Sequence, residues 1–295
     1  MSNKMKKFTQ IIAIIASVAA VASCDMFKLD NFDGPDAQVT GNLLDAKTGE
    51  RMGLEASQSS VWDWSSWSMR TTTIGAMVVV EQGWKDSEGN DVSQDQNWLV
   101  RFDGHYTNNL IFAADYKVSM KNLPCYEPEN PDFTIKKGSN TVDFKVTPFC
   151  RIVNPQFSYD ASTQKIVATF SVELGDETKA NTISNIALCC NTQTFVGCNY
   201  FNLAKNDPGA KKQGGFNWAT WTNEPAAKPG ETVTLEIDTT LPANIDLFRY
   251  TQDRYLRIAA MASGNGYNGN SYYNFSKIYK ISADFKTIEE VKWED

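Results

Sequence analysis

Histidine is nearly absent from this chain: His105 is the only one in 295 residues. A Ser-His-Asp or Cys-His arrangement would have to be built around it, yet it follows Asp103 and Gly104 in what reads as an exposed turn, and no Gly-x-Ser-x-Gly elbow is present. With one imidazole and no Cys-x-x-Cys pair, a zinc site lacks a ligand set. Asp91, Ser93, Asp95 and Asn97 place oxygens at every second position but lack the glycine and closing glutamate of a calcium-binding loop, so they read as a polar strand face or loop. The 35 acidic residues offer many carboxylate pairs, and none stands out as a glycosidase dyad. Basic clusters are missing as well. Beyond the N-terminal segment no run of Lys or Arg exceeds two, and the net charge is -7, which argues against nucleic acid or an anionic lipid surface as a partner. These absences lead to the expectation of a chain with no catalytic residues, metal or cofactor.

What is present begins at the N-terminus. Lys4, Lys6 and Lys7 precede the apolar stretch "IIAIIASVAAVA" (11 to 22), which is too short to span a bilayer comfortably and has no stop-transfer flank. It reads as a secretory signal peptide over residues 1–23. The small residues of "VASC" directly before Cys24 resemble a bacterial lipobox, which implies cleavage in front of Cys24 and its acylation. The lipid would then be the only attachment to a membrane. Behind it, residues 24–36 carry Asp25, Asp30, Asp33 and Asp36 without hydrophobic periodicity, a flexible acidic tether. This tether resembles the export signal of Bacteroidota surface lipoproteins, implying an outer-membrane location that faces the cell exterior.

Strand patterns dominate the rest. "KIVATFSVEL" (165 to 174) sets Ile166, Ala168, Phe170, Val172 and Leu174 on one face, "ETVTLEID" (231 to 238) sets Val233, Leu235 and Ile237, and "TVDFKV" (141 to 146) sets Val142, Phe144 and Val146. Helix-period segments are scarce, and turn signals such as "FDG", "KKG" and "KPG" separate the runs. The expectation is an all-β chain of two β-sandwiches, over 37–147 and 148–295, dividing near Pro148.

The first of these opens "VTGNLLDAKTGERM" (39 to 52), a strand that runs into Asp45 and a turn through Thr48, Gly49 and Glu50. With the Asp103–Gly104 turn, Tyr106, and a closing strand holding Tyr116 and Val118, it resembles a carboxypeptidase-regulatory or transthyretin-like sandwich. One departure is that Ala114 and Asp115 stand where such domains usually have glycine before the closing tyrosine. Together with "YLRIAAMA" (255 to 262) and "NFSKIYKI" (274 to 281), which look like the last strands of an Ig-like second domain, the arrangement resembles a two-domain Bacteroidota surface lipoprotein family of unknown function. That resemblance implies association with Sus-type polysaccharide-utilisation systems and a SusC/SusD-like transporter complex.

Binding residues are sought in three aromatic clusters. "SSVWDWSSWSMR" (59 to 70) holds Trp62, Trp64 and Trp67 among polar residues. An extended segment would place Trp62 and Trp64 on one face about 6–7 Å apart. "GGFNWATWTNE" (214 to 224) adds Trp218 and Trp221, and "SGNGYNGNSYYNF" (263 to 275) adds Tyr267, Tyr272 and Tyr273 in an Asn- and Gly-rich context. Aromatic platforms beside amide and carboxylate groups suit the apolar faces and hydroxyl edges of an oligosaccharide or polysaccharide, but the same rings could instead pack on their own domains. Two functions follow. One is a non-catalytic cell-surface glycan-binding lipoprotein; the other is a structural or assembly subunit that contacts a TonB-dependent transporter or SusD-like protein through exposed aromatics. Apart from Cys24, the chain carries Cys125, Cys150, Cys189, Cys190 and Cys198, an odd number, for which buried reduced thiols are the default in domains of this size.

Overall fold

Alternation with period two builds most of the elements. The computed structural model describes residues 34–55, 61–63, 68–70, 75–197, 212–216, 219–263 and 272–293, with the strands over 61–70 and 212–226 given by their backbone. Apart from a 3-10 turn at Pro242–Asn244 and a short helix at Ile245–Phe248, the regular structure described is all β. No helix among the described residues is long and apolar enough to cross a membrane.

From Ala37 onward, two pairs of facing sheets form. In the first pair, β1 (Ala37–Asp45) lies between β6 (His105–Ile111), its antiparallel neighbour, and two short parallel strands, β9 (Gly138–Thr141) and β10 (Phe144–Val146). Facing it is an antiparallel sheet in the order β5 (Asp95–Leu99), β4 (Ala76–Glu81), β7 (Asp115–Ser119), β8 (Asp132–Thr134). The "TVDFKV" segment, expected as one strand, breaks at Val142–Asp143. There the Asp143 carboxylate, rather than a backbone carbonyl, accepts from the Asn42 backbone N–H at 2.8 Å. β2 (Val61–Asp63) and β3 (Ser68–Arg70) form a separate hairpin.

The core between these sheets takes the inward side chains of both, among them Val39, Leu43, Met77, Val79, Trp98 and Phe144. Trp98 is its centre, with ring centroids 6.1 Å from Tyr106, 6.0 Å from Tyr116 and 5.9 Å from Phe133. Buried hydroxyls need acceptors. Tyr106 donates to the Val142 carbonyl at 2.5 Å and Tyr116 to the Phe112 carbonyl at 2.9 Å. Gly104 turns the chain into β6 at φ +78°, a conformation that a Cβ disfavours. Ala114 and Asp115 reach β7 without a positive φ, so the closing turn forms without glycine. His105, expected in an exposed turn, is instead the first residue of β6 and half-buried, because it registers opposite Asn42.

In the second pair, β11 (Cys150–Asp160), β12 (Lys165–Leu174) and β16 (Thr232–Asp238) form an antiparallel sheet. Against it packs a larger sheet in the order β14 (Lys212–Phe216), β15 (Ala219–Ala227), β13 (Thr182–Asn191), β17 (Arg254–Ser263), β19 (Tyr279–Ile281), β20 (Ile288–Glu290), with β18 (Asn274–Phe275) also paired to β17. Ile166, Ala168, Phe170 and Val172 all point into the core, as alternation requires, while Leu174 at the end of β12 is half-buried. "NFSKIYKI" does not end the fold: β20 follows and pairs with β19.

β13 and β17 are buried on both faces. Ile186, Leu188, Cys190, Leu256, Ile258 and Ala260 belong to the sandwich core. Ala187, Cys189 and Ala259 belong to a second cluster on the opposite face, with Phe275, Ile278 and Val196 and with Phe102 of the first sandwich packed against it. Cys189 and Cys190 therefore point to opposite sides as alternation demands, and both are buried. Cys125, Cys150, Cys189 and Cys190 are all buried, and Cys198 lies outside the described residues. Burial pushes the Cys150 and Cys190 thiols up to about 12, against a small opposing effect from a nearby arginine in each case.

Candidate functional site

Arg257 holds the two sandwiches against each other. Its side chain is fully buried and donates to the carbonyls of Leu54 at 2.7 Å, Phe102 at 2.9 Å and Ser276 at 2.9 Å, with its guanidinium 4.6 Å from the Phe275 ring centroid. Gly53 makes this approach possible. A Cβ there would stand 2.7 Å from both Arg257 Nη2 and the Phe275 carbonyl oxygen. Asn274 adds a second tie, donating to the Pro124 carbonyl at 2.8 Å and accepting from the Cys150 backbone N–H at 3.1 Å.

Beside these ties a cleft of about 460 Å³ opens between the sandwiches. Five stretches meet there: the turn that follows β1, the start of β11, the end of β12 at Glu173, the β18–β19 segment, and the chain from Glu290 at the end of β20. Each arrives for a local reason. The turn after β1 is closed by Asp45, whose carbonyl accepts from Gly49 N–H at 2.8 Å and whose carboxylate accepts from Lys47 N–H at 2.9 Å. β11 carries an irregularity between Val153 and Gln156, with Asn154 at φ +50°, a left-handed conformation that asparagine tolerates better than most residues. The bulged segment, Val153 to Pro155, lines the cleft.

Ion pairs lace the cleft. Arg151 forks onto Asp45, Nε to Oδ2 at 2.5 Å and Nη2 to Oδ1 at 2.7 Å, with both side chains about nine-tenths buried. Lys47 meets Glu173 at 2.8 Å, and Lys277 lies between Glu50 at 3.1 Å and Glu290 at 3.2 Å. Burial works against the charge of Lys277, but the bonds it donates to Glu50 and Glu290 outweigh that and raise its pKa. Tyr279 and Trp293 supply aromatic wall, both half-buried. Burial raises the Tyr279 pKa, and the Glu290 carboxylate adds to the effect. Hydrogen-bond donors and acceptors thus share the lining with two aromatic residues, a set that can recognise a small polar ligand. Among the described residues no group of three or more His, Cys, Asp or Glu could hold a metal ion. Asp91 is paired with Lys85 at 2.6 Å and Asp95 with Lys121 at 3.3 Å.

Of the aromatic residues singled out in the sequence, those among the described residues fall elsewhere. Trp62 lies on β2, registered with Met69, and Trp221 lies on β15, registered with Cys189 and Gly214. Trp64, Trp67, Trp218 and Tyr267, like Cys24, lie outside the described residues. Tyr272 and Tyr273 are half-buried. Tyr273 donates to Asn185 Oδ1 at 2.9 Å and packs on the cluster behind the larger sheet. His105 has Asn42 Oδ1 3.3 Å from Nδ1 and Thr40 Oγ1 3.3 Å from Nε2, a strand-surface setting. Sequence reasoning missed the cleft residues. Their one local signal was "LDAKTGERM", in which four charges crowd a turn.

No protein-family model matches the sequence, and no curated protein matches it. Solved structures do. The chain is similar to a "putative carbohydrate binding protein" from Bacteroides uniformis, with 28% identity and a TM-score of 0.62 over 84% of this chain and 100% of that one. It shares its fold with DUF3823 family proteins from Parabacteroides merdae, at 18% identity and a TM-score of 0.56 over 84% of this chain and 99% of that one, and from Bacteroides ovatus, at 19% identity and 0.54 over 84% and 100%.

Proposed function

We propose that this chain is a non-catalytic glycan-binding lipoprotein of the bacterial cell surface, acylated at Cys24 in the outer membrane and working in a polysaccharide-utilisation system. The observation that carries the reading is the likeness to the Bacteroides uniformis protein, which runs over that protein's full length at 28% identity. The lipobox and acidic tether support the location, and the aromatic clusters support the ligand class. In this reading the lipid fixes the protein at the surface while the sandwiches hold their binding residues away from the bilayer.

A glycan array probed with the full chain, purified in a detergent without a sugar headgroup, tests the activity. Binding to at least one oligosaccharide is expected, and a blank array overturns the reading. Cys24→Ala tests the location: the variant should leave the membrane fraction, and protease added to intact cells should degrade the wild type. A variant that stays membrane-bound through high-salt washing, or a wild type spared by protease, refutes it.

A further inference from the structure

We infer that the cleft between the two sandwiches is a saccharide site and that its ligand is uncharged, an inference that rests on the glycan-binding reading above. The volume, about 460 Å³, falls within the roughly 300–1,000 Å³ of small-molecule sites. Its charges argue for the ligand class. Asp45, Glu50, Glu173 and Glu290 supply four anions, and Lys47, Arg51, Arg151 and Lys277 supply four cations, so the lining sums to zero. The pairs are made within the protein, as with Arg151 on Asp45 and Lys277 between two glutamates. A charged ligand would have to displace one partner and leave its own charge facing the like-charged one. A hydroxyl both donates and accepts, so it can bond to a carboxylate and an ammonium that remain paired.

Trp293 supplies the second observation. Trp293 lines the cleft, and its Nε1 is buried with no hydrogen-bond partner among the described residues. A stranded indole N–H opposes folding. Phenylalanine would fill much of the same space without that penalty, so a tryptophan at this place is better explained by what its larger ring faces. The half-buried ring offers the cleft an aromatic surface, as does Tyr279, and the apolar C–H face of a pyranose suits such a surface.

The test uses the full chain in a detergent without a sugar headgroup, an array of neutral oligosaccharides (malto-, laminari-, xylo- and manno-hexaose) beside oligogalacturonate and sulfated oligosaccharides, and indole ¹⁵N–¹H spectra with the tightest binder. The eight tryptophans give eight indole signals, and Trp293→Phe identifies the one that matters. A neutral hexasaccharide should bind, shift the Trp293 signal, and hold its Kd within about twofold between about 50 and about 500 mM NaCl. Trp293→Ala should weaken it at least about tenfold, Trp293→Phe should keep the wild-type Tm or exceed it, and Trp84→Ala should bind as wild type. If a neutral oligosaccharide binds while the Trp293 signal stays still, the cleft is not the site and the glycan-binding reading stands. Binding confined to uronate or sulfated chains overturns the ligand class. A blank array overturns both readings. The wild-type spectra decide the case even if Trp293→Ala does not fold.

Discussion

Replacing Arg257 with alanine should be among the most damaging single changes outside the sandwich cores. The side chain is fully buried and bonds to three carbonyls at 2.9 Å or less, those of Leu54, Phe102 and Ser276. Two of those carbonyls belong to the first sandwich and one to the second, so the loss falls on the interface. A stranded buried acceptor costs about 1–3 kcal/mol. Three of them, with water relieving part of the loss by entering the vacated space, give roughly 3–6 kcal/mol, against a total stability of about 5–15 kcal/mol. At about 2–4 °C per kcal/mol for a chain of this size, Tm should fall by between roughly 6 and 24 °C. Arg257→Lys should fall less than Arg257→Ala, since an ammonium keeps the charge and reaches some acceptors but lacks the planar fork. Scanning calorimetry of the three proteins reads this directly. An Arg257→Ala variant that melts within about 3 °C of wild type would refute the reasoning, because the interface would then be held by its other ties and by apolar contact.

Asp45→Ala should cost roughly 2–4 kcal/mol in urea unfolding, since it leaves the largely buried Arg151 guanidinium without its two bonds; an unchanged midpoint would mean that Arg151 finds another acceptor. Cys125, Cys150 and Cys190 should not react with an aromatic disulfide reagent at pH 8 until guanidinium unfolds the chain, because burial holds them as neutral thiols, and buried Cys189 should be out of the reagent's reach; fast native labelling of these four would contradict their placement. Asp160 and Asp284 should titrate near 2 by carboxyl ¹³C shifts. Asp160 is held low by bonds from Ser162 and Thr163, and Asp284 by bonds from Ser282 and Lys286. These folded pKa values lie below the unfolded value of about 3.9, so the stabilisation they supply is complete above about pH 4 and disappears as pH falls toward 2. Midpoints near 3.9 would show that the bonds do not persist in solution.

Period-two alternation was enough to read β12 and β16, because each presents one face to its own sandwich core, and local chemistry was enough to read the Asp45–Glu50 and Asp103–Gly104 turns. The same rule misleads at β17. In "YLRIAAMA" Arg257 occupies an outward position and would be assigned to solvent, yet it is fully buried. Alternation reports which side of a sheet a residue takes, and is silent on what covers the far side. There the cover is Phe102 and Leu54 of the first sandwich together with Phe275. The cleft was illegible for the same reason. Asp45 and Arg151 stand 106 residues apart, and Glu50 and Lys277 stand 227 apart. No local pattern joins such positions, so their meeting is decided by how two finished sandwiches pack. By contrast, the aromatic clusters were conspicuous because tryptophan among serines is a local anomaly, visible without knowing what any ring touches. The sequence by itself determined that the regular structure described is almost all β and where turns such as Asp45–Glu50 and Asp103–Gly104 fall, since those follow from each residue's immediate neighbours. Only the tertiary structure decided which charges are paired, which strands are buried twice, and where a cleft remains open, because those depend on surfaces brought together from opposite ends of the chain.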